Sequence, residues 1–447
     1  MEKISEKYDA VVIGSGPAGT AAAAAIKAQG QKVALIEEDL WGGTCPNRGC
    51  DPKKILYTAV EAKERAKLLA GNGLKAQIDI DWSALMTNKR AYTSGISSAT
   101  KKGMESSEIK TYTGHAEFVA GTTVKVGECL LEASNFVIAT GQRPGLLDIP
   151  GKEFLQTSTD FLDLDKMPHD LTIIGGGYVA FELAGIAASA GAQVTVILHN
   201  SRPLKAFPQK LVTELVQSLQ EHGVEFVFDQ DVTQVEQIGA GYRLSGTNDF
   251  SQDTNMVFAA VGRQPNVDDL GLTQAGVEYS NQGVIVDRHL RSTAAHIYAI
   301  GDAAASPVPK LTPVAGIEAK YVAAQLAGRD DEIDYPKIPT VVFSLPKLAQ
   351  VGMTENQAQR DEARYQTKNI DLTGWITYKR QHEKKPLVQL IVDKVSEKVV
   401  GAACLSMEAD EMINYLSVLI GEEYTAKQVK KMIWAYPTTA SDLQYIY

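Results

Sequence analysis

Two cysteines, Cys45 and Cys50, flank four residues in the run GGTCPNRGCDPKK, residues 42–54. Thiols this close can close a small loop as a disulfide, and a dithiol that opens and closes carries two electrons. Many close pairs arise by chance, but this chain has only 4 cysteines in 447 residues. The reactive species in such chemistry is the thiolate, which needs positive potential around it. Arg48, Lys53 and Lys54 supply charge of that sign. Asp51-Pro52 reads as the N-cap and first position of a helix whose dipole adds to it, while the Asp51 carboxylate opposes it. Cys129 and Cys404 lie in the apolar runs GECLLEA and GAACLS and read as buried small hydrophobes.

The elements that position the pair begin with residues 8–13, YDAVVI, an apolar strand running into Gly14-Ser15-Gly16-Pro17-Ala18-Gly19. An alanine-rich helix follows, Gly30 stops it, and a second strand at 32–36 ends on Glu37. This is the dinucleotide fingerprint with its strand, helix and acid in place: glycines for a tight turn and close backbone approach, a helix N-terminus for pyrophosphate, and a carboxylate for a ribose diol. The unit recurs as a strand at 171–174, the turn Gly175-Gly176-Gly177-Tyr178-Val179-Ala180, a helix at 181–190, the stop Gly191, and a strand at 193–198. The spacing from first glycine to stop glycine is 16 in both copies. Two dinucleotides are therefore expected. The first copy ends on Glu37 and the second on Leu198, followed by His199, Arg202 and Lys205, which favours a 2′-phosphate and hence NADPH at the second site, with NADH as the alternative.

Between and after the copies, helices are expected at 52–69 and up to Met104, and strands at 135–140 and 256–261, closing on Gly141 and on Gly262-Arg263. A strand at 297–300 runs into Gly301-Asp302, and Leu311-Thr312-Pro313 opens another helix. From about residue 335 the glycine fingerprints stop, three prolines mark a boundary, strands are expected at 341–343, 387–392 and 399–405, and helices at 410–420 and 425–434. The expected class is α/β, with two Rossmann-like dinucleotide-binding domains and a C-terminal α+β dimerisation domain. The expected segments are 1–148, 149–270, 271–335 (returning to the first domain) and 336–447. A net charge of −10 disfavours nucleic acid and anionic membrane as partners. Few cysteines, a charged start and no apolar run of about 18 residues point to a cytoplasmic protein.

Over nearly its whole length the chain resembles the pyridine nucleotide–disulfide oxidoreductases, the flavoproteins that include glutathione reductase, dihydrolipoamide dehydrogenase and mercuric reductase. The resemblance rests on GSGPAG with Glu37, GGTCPNRGCDPKK, ATGQRP, GGGYVAFE, YAIGDA with LTP, and IPTVVFSLPKLAQVGMTE. It implies FAD held by Gly14, Gly16, Pro17, Ala18, Gly19, Glu37, Gly43, Thr44, Thr140, Gly141, Asp302, Leu311 and Thr312. It implies NADPH at Gly175, Gly177, Tyr178, Val179, Glu182, His199, Arg202, Lys205, Gly262 and Arg263. By the same resemblance Cys50 is the flavin-side thiol, Cys45 the interchange thiol, Lys53 pairs with Glu182 near the flavin, and Tyr178 covers the flavin until nicotinamide displaces it. A homodimer with an active site shared across subunits, a small-molecule electron acceptor and a part in cell redox homeostasis follow as expectations.

One segment departs from the family pattern. Its disulfide reductases end on a His-Pro-Thr segment followed by glutamate, and here the corresponding run is WAYPTTASD, residues 434–442. Tyr436 stands at the histidine and Ser441 at the acid, with Asp442 one place along as a partial substitute. A phenol titrates near ~10 and imidazole near ~6.5, so Tyr436 can donate a hydrogen bond or act as an acid but is a poor resting base. Mercuric reductases share a tyrosine at this place but add a second cysteine pair, which residues 437–447 lack. Three readings result: a reductase of a small disulfide, a reductase of metal ions, quinones or reactive oxidants, and a flavin-binding scaffold without turnover. The retained Cys45, Cys50, Lys53 and Glu182 favour the first two.

Overall fold

The computed structural model describes residues 4–75 and 78–447, which divide into two compact units. The first unit comprises residues 1–55, 87–145 and 263–334. Its sheet has Ile4–Ile13 between Val33–Glu37 and Cys129–Ile138, all parallel, with Lys110–Thr113 beyond the former and Ile297–Ala299 beside the latter. The antiparallel strands Thr123–Val126 and Ala116–Ala120 extend the edge.

Side chains alternate across a strand, so a sheet covered on both faces needs apolar residues at every position. The central strands meet this need. Val11, Ile13, Ala34, Ile36, Phe136 and Ile138 enter one core, and Ala10, Val12, Val33, Leu35 and Val137 enter another. The second core also takes Ala22, Ala23 and Ile26 of the helix Pro17–Lys27, and Ala315, Ala319 and Val322 of the helix Thr312–Leu326. Small side chains at these positions let the helices lie close to the sheet. Fully burying each branched side chain contributes roughly 1.5–3 kcal/mol.

The second unit comprises residues 56–86, 146–262 and 335–447. It repeats the arrangement in a parallel sheet ordered Val224–Val227, Gln193–Ile197, Asp170–Ile174, Val257–Ala259. One face packs on the helices Tyr178–Ser189 and Gln209–Glu221, the latter through Leu211, Leu215 and Leu219 at helical spacing. The other face packs on an antiparallel sheet through Val232, Val235 and Leu244. The same unit contains a five-stranded antiparallel sheet ordered Thr340–Val342, Lys347–Gly352, Val399–Ser406, Leu387–Asp393, Tyr365–Asp371, with the helix Ala409–Gly421 on its core side. No helix among the described residues is long and apolar enough to cross a membrane.

Three local expectations need correcting. The helix after the cysteine pair begins at Cys50 itself and runs to Leu68, so Asp51 lies within its first turn and is not its cap. The helical stretch up to Met104 is two helices, Trp82–Thr93 and Ile96–Ser106, parted at Ser94-Gly95. The expected helix at 425–434 shrinks to Ala426–Val429, a single turn held by a reciprocal cap between Thr425 and Gln428. That turn still buries Val429 in the C-terminal core, and the helix Thr439–Ile446 further on, unexpected from sequence, adds Leu443 and Ile446 to the same core.

Candidate active site

The two thiols are brought together by two short-range devices. Cys45 sits in the five-residue helix Thr44–Arg48, and Cys50 is the first residue of Cys50–Leu68. Gly43 has φ +66, and a Cβ there would lie 2.7 Å from the Gly16 Cα, so the cysteine segment rests directly on the first fingerprint turn. Ser15, which no sequence pattern singled out, joins the two. Its buried hydroxyl donates to Glu37 Oε2 at 2.7 Å and accepts from the Gly42 amide at 3.1 Å, and its own amide donates to Glu37 Oε2 at 2.9 Å. A serine inside a glycine-rich turn is ordinarily only a turn residue, so sequence carried no signal for this bridge.

Both cysteines are free thiols. The Thr312 hydroxyl donates to Cys45 Sγ at 3.4 Å and stands 4.0 Å from Cys50 Sγ. Thr312 is the first residue of a 15-residue helix, so the positive end of that helix also faces the sulfurs. Cys50 is drawn down to about 6, first by the hydrogen bond from Cys45 and then, against burial, by Lys53 and Lys54. Cys45 is pushed up by the same shared hydrogen bond, by burial, by the charge on Cys50 and by Asp51. Two close thiols disfavour ionising together, and the surrounding charges favour the thiolate on Cys50 over that on Cys45.

Around them, Arg48 is ion-paired with Asp39, and the Tyr92 hydroxyl donates to Asp51 Oδ2 at 2.9 Å. Tyr92 was not anticipated from sequence, because it lies on a helix more than forty residues further along the chain. Asp302 is half-buried. Burial pushes its carboxyl up, and Arg263 and Lys310 oppose that shift. Lys310 donates to the carbonyls of Asp302 at 3.1 Å and Gln282 at 3.3 Å, and also to that of Ala304. Arg263, expected on the nicotinamide side, lies in this first unit and donates to the Gln142 carbonyl at 2.5 Å. Thr140 and Asn266 exchange bonds of 2.7 and 2.9 Å, closing the turn that carries Gly141.

These residues fit a flavin dinucleotide. Gly14 has φ +99, and a Cβ there would come within 2.4 Å of the Ala139 carbonyl oxygen, so the backbone passes through a turn open only to glycine. The helix Pro17–Lys27 starts at Gly16 with no side-chain cap, leaving its first amides for an anion. Glu37, at the end of the next strand, is buried, as an acid awaiting ribose hydroxyls should be.

In the second unit the equivalent turn has Gly175 at φ +139 and an uncapped helix start at Gly177. Tyr178 is 48% exposed, as a displaceable ring would be. Glu182 is buried and accepts from the Phe343 amide at 2.8 Å. Of the basic residues after the second strand, His199 is paired with Asp231, Arg202 donates to Asn356 at 2.9 Å, and Lys205 is exposed.

In the C-terminal region, Tyr436 is 70% exposed, and Ser441 is taken up in a reciprocal cap with Thr438. Asp442, expected to stand in for the absent glutamate, is buried at 3% exposure, Oδ2 has no hydrogen-bond partner, and burial pushes its carboxyl up. The cap sets the helix start so that the fourth residue points into the core, which removes Asp442 as a charged partner for Tyr436. Cys404 is fully buried, with its thiol pushed up by burial, and is a packing residue.

A sheet-borne glycine turn beside a paired dithiol defines a flavoprotein disulfide reductase in class. The family profile described as pyridine nucleotide-disulphide oxidoreductase matches residues 8–319, and that of its dimerisation domain matches residues 338–445. The chain belongs to the pyridine nucleotide–disulphide oxidoreductase family, whose members use FAD and a pyridine nucleotide. It is 32% identical over 455 residues to glutathione reductase of Nostoc sp., covering 97% of this chain and 98% of that one. It is 30% identical over 446 residues to dihydrolipoyl dehydrogenase of Bacillus subtilis, covering 97% and 96%. A solved structure of similar form is the copper(II) complex of a cysteine-to-serine variant of RclA, the HOCl-induced flavoprotein disulfide reductase of Escherichia coli, with TM-score 0.89, 25% identity and 98% of each chain covered.

Proposed function

We propose that this chain is an NADPH-dependent reductase in which Cys45 and Cys50 relay two electrons from FAD to a small disulfide. The observation that carries the reading is the placement of the pair: Cys50 opens a 19-residue helix, the Thr312 hydroxyl donates to Cys45 Sγ at 3.4 Å and stands 4.0 Å from Cys50 Sγ, and Lys53 and Lys54 favour the Cys50 thiolate. Gly14, Glu37, Asp302 and Thr312 would hold FAD, which would supply a two-electron carrier between nicotinamide and the oxidised Cys45–Cys50 disulfide. Cys50 is the flavin-side sulfur, and Lys53 balances the charge of its thiolate. Cys45 gives up its proton and attacks one sulfur of the acceptor; the S–S bond breaks, and the departing thiolate takes a proton. Cys50 then attacks Cys45 of the mixed disulfide, releasing the second thiol and restoring the Cys45–Cys50 bond. In sum, NADPH, one proton and the disulfide give NADP⁺ and two thiols. Tyr436 of the partner subunit or solvent supplies the proton to the leaving group. A homodimer is supported by the dimerisation-domain match and by exposed Val418, Ile433, Tyr436 and Tyr445 in that region.

Anaerobic titration with NADPH tests the relay. The expected two-electron-reduced form absorbs at long wavelength, from the Cys50 thiolate against oxidised flavin. A flavin that simply bleaches, with no such band, removes the dithiol from the path.

A second reading, reduction of metal ions or other oxidants, is favoured by Tyr436 in place of histidine and by the copper(II) complex of the RclA relative. Cys45→Ala separates the two. Disulfide reduction is expected to fall by roughly 10³-fold or more. Copper(II) or quinone reduction that falls in parallel would instead assign those acceptors to the dithiol.

The nucleotide preference is the other finer element. Leu198 supplies no carboxylate at the end of the second strand, and Arg202 and Lys205 are exposed on the loop that follows it, while the Asp231–His199 pair works the other way. Arg202→Ala with Lys205→Ala is expected to lower kcat/KM for NADPH by roughly 10- to 100-fold and to leave that for NADH within about twofold. An equal loss with both nucleotides would mean the loop only shapes the pocket.

A further inference from the structure

Cys45 and Cys50 stand in different electrostatic surroundings. The cations near the pair act on Cys50: Lys53 and Lys54 both favour its thiolate. Arg48, on the same short helix as Cys45, is tied back to Asp39. Asp51 falls the other way. It lies in the first turn of the Cys50 helix, its carboxylate is oriented by the Tyr92 hydroxyl at 2.9 Å, and its field disfavours charge on Cys45. Asp51 follows Cys50 directly in the chain, and Thr312 lies within 4.0 Å of both sulfurs, which sets phenol, carboxylate and the thiol pair in one neighbourhood. Tyr92 is 46% exposed and Asp51 partly so, so the pair faces solvent and can meet an incoming ligand.

We infer that Asp51, held by Tyr92, selects the acceptor of this enzyme by charge, favouring cationic or neutral disulfides over anionic ones. This rests on the proposed disulfide reduction at Cys45 and names the substrate class of that site. An anionic disulfide approaching Cys45 brings its charge toward the Asp51 carboxylate and also opposes the developing sulfur anion, whereas an amine-bearing disulfide neutralises both. The Tyr92 bond fixes where the carboxylate points and so keeps its charge at the mouth of the site.

The test compares cystamine, which carries two positive charges, with glutathione disulfide, which carries a net negative charge, using the FAD-loaded enzyme with NADPH. The wild type is expected to prefer cystamine in kcat/KM, and the preference is expected to weaken as salt rises. Asp51→Asn keeps the acceptor oxygen for Tyr92 and is expected to lower the cystamine-to-glutathione ratio on the order of tenfold. Tyr92→Phe removes the bond and leaves the charge, so its ratio is expected between the two. An unchanged ratio in Asp51→Asn overturns the inference.

A second readout does not depend on turnover. The NADPH-reduced enzyme is reacted with cationic and anionic methanethiosulfonates of equal size, and the wild type is expected to react faster with the cation by a margin that Asp51→Asn erases. If no disulfide is turned over but this margin is present and lost in the variant, the disulfide reading fails and the charge selection stands. If disulfides are reduced and the margin is absent or survives in the variant, the charge selection fails and the disulfide reading stands.

Discussion

Replacing Cys50 by serine is expected to abolish disulfide reduction, by roughly 10³-fold or more, while direct reduction of quinones by the NADPH-reduced flavin persists. The reasoning begins with position. Cys50 opens a 19-residue helix, and an anion at a helix N-terminus is stabilised by its unpaired amides. Cys45 donates a hydrogen bond to it, and Lys53 and Lys54 add positive potential. The thiol is lowered from its ordinary value to about 6, so the thiolate is the favoured form at pH 7. A hydroxyl cannot be ionised there, so serine removes both the resolving nucleophile and the long-wavelength absorbance of the two-electron-reduced enzyme. In the wild type that absorbance is expected to grow in as pH rises through about 6. A midpoint near the ordinary thiol value of ~8.5 would show that the helix and lysines do not act on Cys50. Serine enzyme that still reduces disulfides at near wild-type rate would sink the relay altogether.

The second large effect concerns stability. Lys347→Ala is expected to cost about 3–5 kcal/mol, because it takes the ammonium from Asp410 and leaves Glu61 with Arg65 alone. Lys347 is 3% exposed, and its ammonium bridges Glu61 Oε1 at 3.0 Å and Asp410 Oδ2 at 2.9 Å. Arg65 completes the group with Glu61 at 2.8 Å and Glu408 at 2.9 Å. For Glu61, burial works against ionisation, but the hydrogen bonds from Lys347 and Arg65 outweigh it and hold the carboxyl below its ordinary range. A depressed carboxylate contributes stability that is present above its unfolded value, about 4.3, and is lost as pH falls through the folded one. The gap between Lys347→Ala and wild type is therefore expected in full at pH 7 and to narrow in acid. Thermal unfolding of the flavin-loaded protein across pH measures it. Lys347→Met with Glu61→Gln and Asp410→Asn, which removes all three charges, is expected to recover most of the loss. A change within about 0.5 kcal/mol for Lys347→Ala would mean the cluster is solvated and contributes little. Glu61 lies on the helix that Cys50 begins, so this cluster anchors the later turns of that helix to the strand Lys347–Gly352.

The parts of the molecule readable from sequence are those specified by local chemistry. A strand, a turn that only glycine can make, and a helix start with open amides form a self-contained unit, so GSGPAG and GGGYVA announced two parallel sheets before any fold was known. The same holds for Cys45 and Cys50, whose separation in the chain keeps them close in space. Where packing rather than local pattern decides, sequence was a poorer guide. The segment 425–434 has helical composition but forms one turn, and the unexpected helix Thr439–Ile446 joins it against the C-terminal core.

Charge at the site shows the division most sharply. The sequence by itself determined two glycine-rich dinucleotide turns and a close cysteine pair with Asp51 beside it, and through its resemblance to the family it raised the expectation of a flavoprotein with Tyr436 at the place of a histidine. Only the tertiary structure decided what those charges meet. It turned Asp442 into the core, tied Arg48 to Asp39 and His199 to Asp231, joined Ser15 to Glu37 and Gly42, and brought Tyr92 onto Asp51. The physical reason is range. Backbone turns and helix starts depend on a few neighbouring residues, whereas the field at a thiol depends on every charge within several ångströms, and those charges arrive from distant stretches of chain.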